Sequence, residues 1–325
     1  MKKKLFILPA LIFTLIIGAC GNKEEKAEGQ KEDKLSVYTT VYPLQYFTER
    51  IGGEFVDVHS IYPAGADEHS FDPTQKDMIS LSNADLFLYI GLGLEGFVDN
   101  AKKTLKDEHV TLVATADSIT KEQLDEGHHH DEEEDHDEHG HEEEHDHEHG
   151  QFDPHVWISP ILSIELATSI KDSLITKMPE AAETFEKNFD MLEDDLMDLD
   201  ERFKEMAQQA PTKTFFVSHA AFGYISKEYG LNQVAIAGLN SQSEPSQKQL
   251  ATIVEQAKED NVHYILFEQN VSSKLTEVVK KEVGAQSLML HNLGVLTKDD
   301  VKNNETYFTL MEQNLKVLEQ ALSNK

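Results

Sequence analysis

The chain has 325 residues, of which 39% are hydrophobic, and it carries a formal net charge of −31 at pH 7. This length is enough for one large domain or two ordinary ones, and the hydrophobic content excludes a wholly disordered chain. The negative charge argues against nucleic acid or an anionic membrane surface as the binding partner, and it favours cations.

The first 20 residues have the pattern of an export signal. Three lysines at positions 2–4 precede an apolar stretch over residues 5–17, which is too short to span a bilayer comfortably. The stretch leads to Cys20, the only cysteine, in a pattern that resembles a bacterial lipobox. We therefore expect a signal peptide over residues 1–19 and a lipid on Cys20. Residues 20–34 would be a lipidated flexible tether to the outer face of the cytoplasmic membrane.

Residues 35–178 alternate short apolar runs with amphipathic stretches. Strands are predicted over residues 35–40, 55–62, 85–90 and 110–114, and helices over residues 43–51, 94–105 and 160–174. Asp72, which is followed by Pro73, is expected to cap a further helix. Strands that alternate with helices at this spacing predict a parallel sheet in an N-terminal α/β lobe.

A single long helix is predicted over residues 179–210. Its apolar residues, from Ala182 to Met206, follow one another at alternating spacings of three and four, which makes one continuous helical stripe. Such a helix is roughly 45 Å long, more than one small lobe needs. Residues 211–325 repeat the alternation, with strands at 214–217, 233–237, 263–267 and 288–290. The sequence therefore predicts two α/β lobes with parallel sheets, joined by one long rigid α-helix.

An acidic run rich in histidine interrupts the first lobe. Residues 128–149 contain nine histidines, twelve carboxylates and one glycine. Such a segment cannot bury enough apolar surface to fold, so we expect a disordered loop over residues 125–150. Imidazoles and carboxylates are ligands that first-row metal ions prefer. The run is therefore interpreted as a weak collector of metal ions, and the alternative is a solvated acidic loop without a role.

Three histidines outside this run lie where ligand sites form in α/β proteins. His69 follows the predicted strand at 55–62, His219 follows the strand at 214–217, and His155 lies in the crossover toward the long helix. Ligands of α/β sheets bind at the carboxyl ends of the strands. Each histidine alone would more often be a hydrogen-bonded structural residue, but three of them beside a histidine-rich run favour a metal site.

The three histidines lie in the segments EHSFDPTQKD around His69, FDPHVWISP around His155 and VSHAAFGYISKEYGL around His219. These segments strongly resemble the zinc-binding (ZnuA/AdcA-like) substrate-binding lipoproteins of bacterial metal ABC importers. The resemblance extends from residue 35 to the C-terminus. It implies that the metal lies in the cleft between the lobes, that these three histidines are ligands, and that the partner is an ABC permease. The manganese branch of the family usually has a carboxylate at the third position, so His219 indicates zinc.

The fourth ligand departs from the family pattern. Many Gram-positive zinc members have a glutamate ligand in a segment resembling LNPLESL, whereas the matching LHNLGVL here places Gly294 at that position. Glu68 is the first candidate, because the adjacent Glu-His pair resembles Gram-negative zinc members in which that glutamate can ligate. Glu268, His291 and water are the other candidates, although a hydrogen-bonding role beside the cleft is favoured for Glu268 and His291.

Residues beside the candidate ligands are expected to orient them. Asp153 and Asp72 are candidate acceptors for imidazole N–H groups, although helix capping is favoured for Asp72. His59, His109 and His263 are interpreted as ordinary strand or surface histidines.

The function indicated is capture of Zn²⁺ outside the membrane and its delivery to an ABC permease by a monomeric, lipid-anchored protein. Three neutral imidazoles and one oxygen suit tetrahedral Zn²⁺ and discriminate against Ca²⁺ and Mg²⁺, although Cu²⁺ would also bind. The alternatives are a manganese-binding homologue, an adhesion lipoprotein and, least favoured, a zinc hydrolase. The only HExxH match, at residues 141–145, lies in the acidic run that is not expected to fold, and the sequence contains no GxSxG motif, so we expect no enzymatic activity.

Overall fold

The computed structural model describes residues 34–125, 152–271 and 274–323. The predicted signal peptide, Cys20, the tether up to residue 33 and the histidine-rich run lie outside the described residues. Within those three ranges, no helix is both long enough and apolar enough to cross a membrane.

The N-terminal lobe is built on a four-stranded parallel sheet. Its strands are β1 (Leu35–Thr39), β2 (Val56–Ser60), β3 (Leu86–Tyr89) and β4 (Thr111–Ala114), in the order β2-β1-β3-β4. Its helices are α1 (Tyr42–Gly52), α2 (Gln75–Ser82), α3 (Val98–Leu105) and α4 (Pro160–Lys177). Every residue of β3 is buried, as expected for a strand inside a parallel sheet that helices cover on both faces.

The C-terminal lobe repeats the same strand order. Its strands are β5 (Thr214–His219), β6 (Asn232–Ala237), β7 (Tyr264–Phe267) and β8 (Gln286–Met289), all parallel and ordered β6-β5-β7-β8. The long helix α5 (Ala182–Gln209) precedes them. The other helices are α6 (Gly223–Tyr229), α7 (Gln247–Glu259), α8 (Lys274–Val283), α9 (Lys298–Asn303) and α10 (Tyr307–Leu322). In each lobe the second strand lies on one side of the first strand (β1 or β5) and the third strand lies on the other side, so the strand order reverses there. Ligands bind at this reversal point in open α/β sheets.

Helix α5 connects the two lobes, as predicted. Its buried stripe packs against α1 and α4 of the first lobe and against α6 and α10 of the second. Polar contacts near the middle of α5 reach both lobes: Arg50 Nη2 of α1 lies 2.7 Å from Asp195 Oδ2, and the Tyr229 hydroxyl of α6 lies 3.0 Å from Asp200 Oδ1. The predicted fold of two α/β lobes joined by one long helix is therefore confirmed.

The closing helix α10 returns to the first lobe. Tyr307 at its start is fully buried, with its ring 4.9 Å from that of Phe47, and its hydroxyl donates to the Trp157 carbonyl at 3.0 Å. One continuous apolar core consequently includes residues of both lobes, and a smaller core lies beneath α7 and α8. The second lobe is thereby attached to the first at α10 as well as at α5.

Several local predictions were wrong. Asp72 does not cap a helix: α2 begins at Gln75 with Thr74 as its N-cap, because Thr74 and Asp77 exchange side-chain-to-backbone hydrogen bonds in a capping box. The helix predicted from residue 94 begins at Val98, since the Glu95 carboxylate accepts the N–H groups of the two residues that follow β3. Helix α9 was not predicted, and β5 continues through His219 rather than ending before it.

Candidate metal centre

The structure brings the three predicted histidines together. One ring nitrogen from each of His69, His155 and His219 lies within 4.8 Å of the other two. The Nε2 atom of His155 is 3.3 Å from Nε2 of His69 and 3.3 Å from Nε2 of His219. His155 and His219 are fully buried, whereas His69 is partly exposed. Three converging imidazole nitrogens are the donor set of a tetrahedral zinc site that keeps a fourth position.

His155 is oriented by Asp153, as predicted from the sequence. Asp153 Oδ1 accepts the backbone N–H of His155 at 2.9 Å and lies 2.7 Å from its Nδ1 atom. A proton held on Nδ1 by this carboxylate leaves Nε2 with its lone pair free for a metal ion. The Tyr224 hydroxyl donates to the Asp153 carbonyl at 2.7 Å, so a residue of the second lobe fixes this turn of the first.

His219, the last residue of β5, is oriented by Glu268, which follows β7. Glu268 Oε1 accepts from the His219 N–H at 3.0 Å and from the Ser218 hydroxyl at 2.7 Å, while Oε2 lies 2.6 Å from His219 Nδ1. Burial disfavours charge on both side chains. Their mutual attraction outweighs it, so the pKa of His219 is raised and that of Glu268 is lowered. Glu268 therefore has the hydrogen-bonding role favoured for it.

His69 lies in the turn between β2 and α2. Asp67 Oδ1 accepts its backbone N–H at 2.9 Å. Burial is the main cause that lowers the pKa of His69, and together with the charges of His155 and His219 it brings this pKa to about 2. This imidazole is consequently neutral at pH 7 and can ligate a metal ion without first losing a proton.

Glu68 lies beside the cluster and fills the space that Gly294 leaves. Its side chain is buried, and Oε1 accepts from Asn292 Nδ2 at 3.1 Å. A Cβ atom added to Gly294 would lie 2.5 Å from Oε1 of Glu68. The Glu68 carboxylate, from the first lobe, therefore occupies the space that a side chain at residue 294 would fill. It is not one of the ligand atoms that lie within 4.8 Å of one another, which come from the three imidazoles alone. Burial raises the pKa of Glu68, and the electrostatic interactions with His219 and His155 offset part of this rise.

The remaining histidines and Asp72 have other surroundings. His291 uses both ring nitrogens: Nδ1 accepts from the Leu293 N–H at 2.9 Å, and Nε2 lies 3.1 Å from Asp300 Oδ2. It therefore has the hydrogen-bonding role favoured for it. Asp72 forms no hydrogen bond to a histidine within the described ranges. The other described histidines, His59, His109 and His263, are exposed, as expected.

Sequence reasoning missed a repeated arrangement at two of the histidines. Asp67 precedes His69 by two positions, as Asp153 precedes His155, and each aspartate accepts the N–H of its histidine at 2.9 Å. The spacing D-x-H, which occurs in both motifs, is the signal that could have identified Asp67. In both turns the aspartate fixes the backbone by accepting the N–H of the histidine two residues later.

The contact between His291 and Asp300 gives a prediction about stability. Hydrogen bonding from His291, with smaller contributions from Thr297, lowers the pKa of Asp300 from 3.8 to about 2. A lowered acid pKa stabilises the fold above pH 4, and this stabilisation is lost as the pH falls from about 4 to 2. We expect Asp300→Asn to lower the free energy of unfolding by about 1 kcal/mol at pH 7, which is less than the full pKa shift implies because solvent screens this partly exposed carboxylate. Urea denaturation should show the difference disappearing near pH 2, and exposed Asp299→Asn is the matched control.

Comparison with known proteins agrees with this geometry. Residues 37–321 match the family model described as zinc-uptake complex component A, periplasmic. The zinc-binding lipoprotein AdcA of Streptococcus pneumoniae is 38% identical over an alignment 329 residues long, which covers 98% of this chain but 61% of that protein. The chain thus spans about three fifths of that relative's length. The high-affinity zinc uptake system protein ZnuA of Bacillus subtilis is 38% identical and is covered over 97% of its length.

Solved structures have the same fold. The Zn(II)-bound ZnuA-like domain of S. pneumoniae AdcA superposes with a TM-score of 0.72 at 35% identity, covering 89% of this chain and 99% of that one. The laminin-binding protein Lmb of Streptococcus agalactiae, described as a bifunctional protein with adhesin and metal transporting activity, superposes with a TM-score of 0.75 at 29% identity, covering 89% of this chain and all of that one. The match over residues 37–321 and the near full-length match to ZnuA establish that this chain belongs to the family of component A of zinc-uptake complexes.

Proposed function

We propose that this protein captures Zn²⁺ outside the cytoplasmic membrane and delivers it to an ABC permease for uptake. The convergence of His69, His155 and His219 carries the proposal. In this proposal the protein is a monomer that is attached to the outer face of the membrane through a lipid on Cys20. The predicted lobes (residues 35–178 and 211–325) and the connecting helix (residues 179–210) form the cleft that holds the ion.

The donor set supports Zn²⁺ as the cargo. Three neutral imidazole nitrogens suit Zn²⁺, whereas Ca²⁺ and Mg²⁺ require oxygen ligands. A Mn²⁺ site favours carboxylate oxygens in direct contact with the ion. Here the carboxylates of Asp153 and Glu268 lie against the Nδ1 atoms of the histidines instead. We assign the fourth position to Glu68, whose carboxylate stands beside the cluster.

The surroundings of the cluster favour capture over catalysis. A zinc hydrolase needs a general base near the metal-bound water and room for a substrate. His155 and His219 are fully buried, and Asp153 and Glu268 are already paired with them. Such a site admits an ion and holds it, which is what a transport component requires.

A metal titration tests the proposal. The metal-free protein should bind one Zn²⁺ tightly in competition with a chromophoric chelator, and millimolar Ca²⁺ or Mg²⁺ should not displace it. Cells that lack this protein should need extra zinc for growth to the same degree as cells that lack the permease. Absence of tight Zn²⁺ binding, or tighter binding of Mn²⁺, would refute the proposal.

The histidine-rich run gives a second expected result. Nine imidazoles and twelve carboxylates within residues 128–149 can form several interchangeable weak sites, because each must order its own segment of chain on binding. Deletion of residues 128–149 should leave one tight Zn²⁺ site and remove the additional weak binding near neutral pH. Growth should suffer only when zinc is scarce. Unchanged total zinc stoichiometry after the deletion would leave the run without a collecting role.

Adhesion is a second candidate function, favoured by the structural similarity to Lmb. If this chain shares that activity, the immobilised protein should retain laminin in a saturable manner, and the zinc-loaded and metal-free forms can be compared in the same assay. Absence of laminin binding in both forms would leave zinc uptake as the function.

A further inference from the structure

His69 is held in place differently from the other two histidines of the cluster. His155 and His219 are fully buried, and each has a carboxylate within 2.7 Å of its Nδ1 atom. His69 is partly exposed, and no side chain of the described ranges is hydrogen-bonded to its Nδ1 atom. Its position therefore depends on the turn that carries it, which Asp67 closes by accepting the His69 N–H.

The second oxygen of Asp67 is bound by the opposite lobe. Asp67 Oδ2 accepts from the Ser241 hydroxyl at 3.1 Å and from Gln242 Nε2 at 3.1 Å. Ser241 and Gln242 belong to the loop between β6 and α7, and Ser241 is buried although it lies in a loop. Ser241 is buried, so its hydrogen bond to the carboxylate is suited to holding one lobe against the other, whereas Gln242 is exposed and its bond contributes less.

The same loop is anchored beside His219. We name residues 238–243 the strap. At its base the Gly238 carbonyl accepts the N–H of Ala220, the residue after His219, at 3.2 Å. The strap is closed on itself by the Gly238 N–H, which donates to the Ser243 carbonyl at 3.2 Å. It thus connects the turn after His219 in one lobe to the turn of His69 in the other.

We propose that Asp67, Ser241 and Gln242 are positioning residues that form a latch across the cleft and set the rate at which Zn²⁺ leaves. The inference rests on the proposed function, because it assumes that the three histidines hold the ion. Release of the latch frees the turn that carries His69 and withdraws one imidazole. His155 and His219 keep their own carboxylate partners and stay in place. The ion is then left with two nitrogen ligands, from which it dissociates faster.

The strap side of the latch can be changed without touching Asp67 or the histidines. In the zinc-loaded protein, Ser241→Ala combined with Gln242→Ala should speed Zn²⁺ dissociation roughly tenfold or more, since both hydrogen bonds to a charged group are lost. Gln242→Glu should act more strongly than Gln242→Ala, because it places a second carboxylate against Asp67. Gln247→Ala, at an exposed glutamine at the start of α7, is the matched control and should keep the parental rate.

Stopped-flow mixing with excess chelator measures the dissociation rate, and Trp157, whose ring is 5.4 Å from that of His155, offers a fluorescence signal beside the cluster. Amide hydrogen exchange of the metal-free protein provides a readout that does not need zinc: the His69 N–H should exchange faster in the double variant only. If the parent binds Zn²⁺ tightly and the double variant shows the parental dissociation rate and parental exchange, the latch is refuted and the proposed function stands. If the parent binds no Zn²⁺ tightly, both are refuted.

Discussion

Replacing His155 with alanine should weaken Zn²⁺ binding by roughly a hundredfold or more. Loss of a residue that only orients a ligand already costs about ten- to a hundredfold in metal affinity, and loss of a ligand costs more. The substitution also leaves the buried Asp153 carboxylate without the imidazole that lies 2.7 Å from its Oδ1 atom. An unpaired buried carboxylate is unfavourable in the metal-free protein as well.

Equilibrium competition against a chelator measures this effect for each histidine of the cluster. His219→Ala should be as severe, because it removes the imidazole that lies 2.6 Å from Oε2 of Glu268, whose side chain is fully buried. His59→Ala is the control: this histidine is exposed on β2 and its nearest charged partner is Asp57, 3.3 Å away. Parental affinity in either His155→Ala or His219→Ala would show that the ion is held elsewhere.

The architecture could be predicted because it depends on local patterns that extend over many residues. Alternating strands and helices specify parallel sheets, and the apolar stripe of α5 specifies a helix longer than one lobe needs. The bounds of single elements were less accurate where a side chain redirects the backbone. Glu95 is one case, since its carboxylate caps the end of β3 and delays the start of α3. Thr74 is another, since its reciprocal bonds with Asp77 displaced the expected cap.

The candidate ligands could be predicted from the sequence, whereas most of their supporting contacts could not. His69, His155 and His219 each lie in a recognisable motif, and Asp153 is adjacent to its histidine in the chain. The pairing of Glu268 with His219 joins residues 49 positions apart. The contacts of Asp67 with Ser241 and Gln242 join residues more than 170 positions apart. Contacts of this kind depend on how the two lobes are placed, which no local pattern encodes.

The relationship between Glu68 and Gly294 is also non-local, and it suggests how the site can supply a carboxylate in spite of the glycine. The family resemblance places a ligand glutamate at position 294. Glu68 Oε1 lies 2.5 Å from where a Cβ atom of residue 294 would be, so a side chain at 294 would displace the Glu68 carboxylate from its present position. A residue other than glycine is compatible with the backbone at 294, which is not among the described residues with positive φ. We infer that the carboxylate has been provided from the other side of the same space.

Exchanging the two side chains tests this inference. Glu68→Ala should weaken Zn²⁺ binding by about tenfold or more, because water replaces a charged oxygen ligand. Gly294→Glu alone should weaken binding and lower stability, since two carboxylates would then compete for one buried space. The double variant Glu68→Ala/Gly294→Glu should bind more tightly than either single variant, because the new carboxylate enters the space that the Glu68 side chain no longer fills.

Calorimetric titration of the four proteins gives the coupling free energy between the two positions. Parental affinity in Glu68→Ala would assign the fourth position to water, and a double variant no tighter than Glu68→Ala would show that residue 294 cannot supply the oxygen.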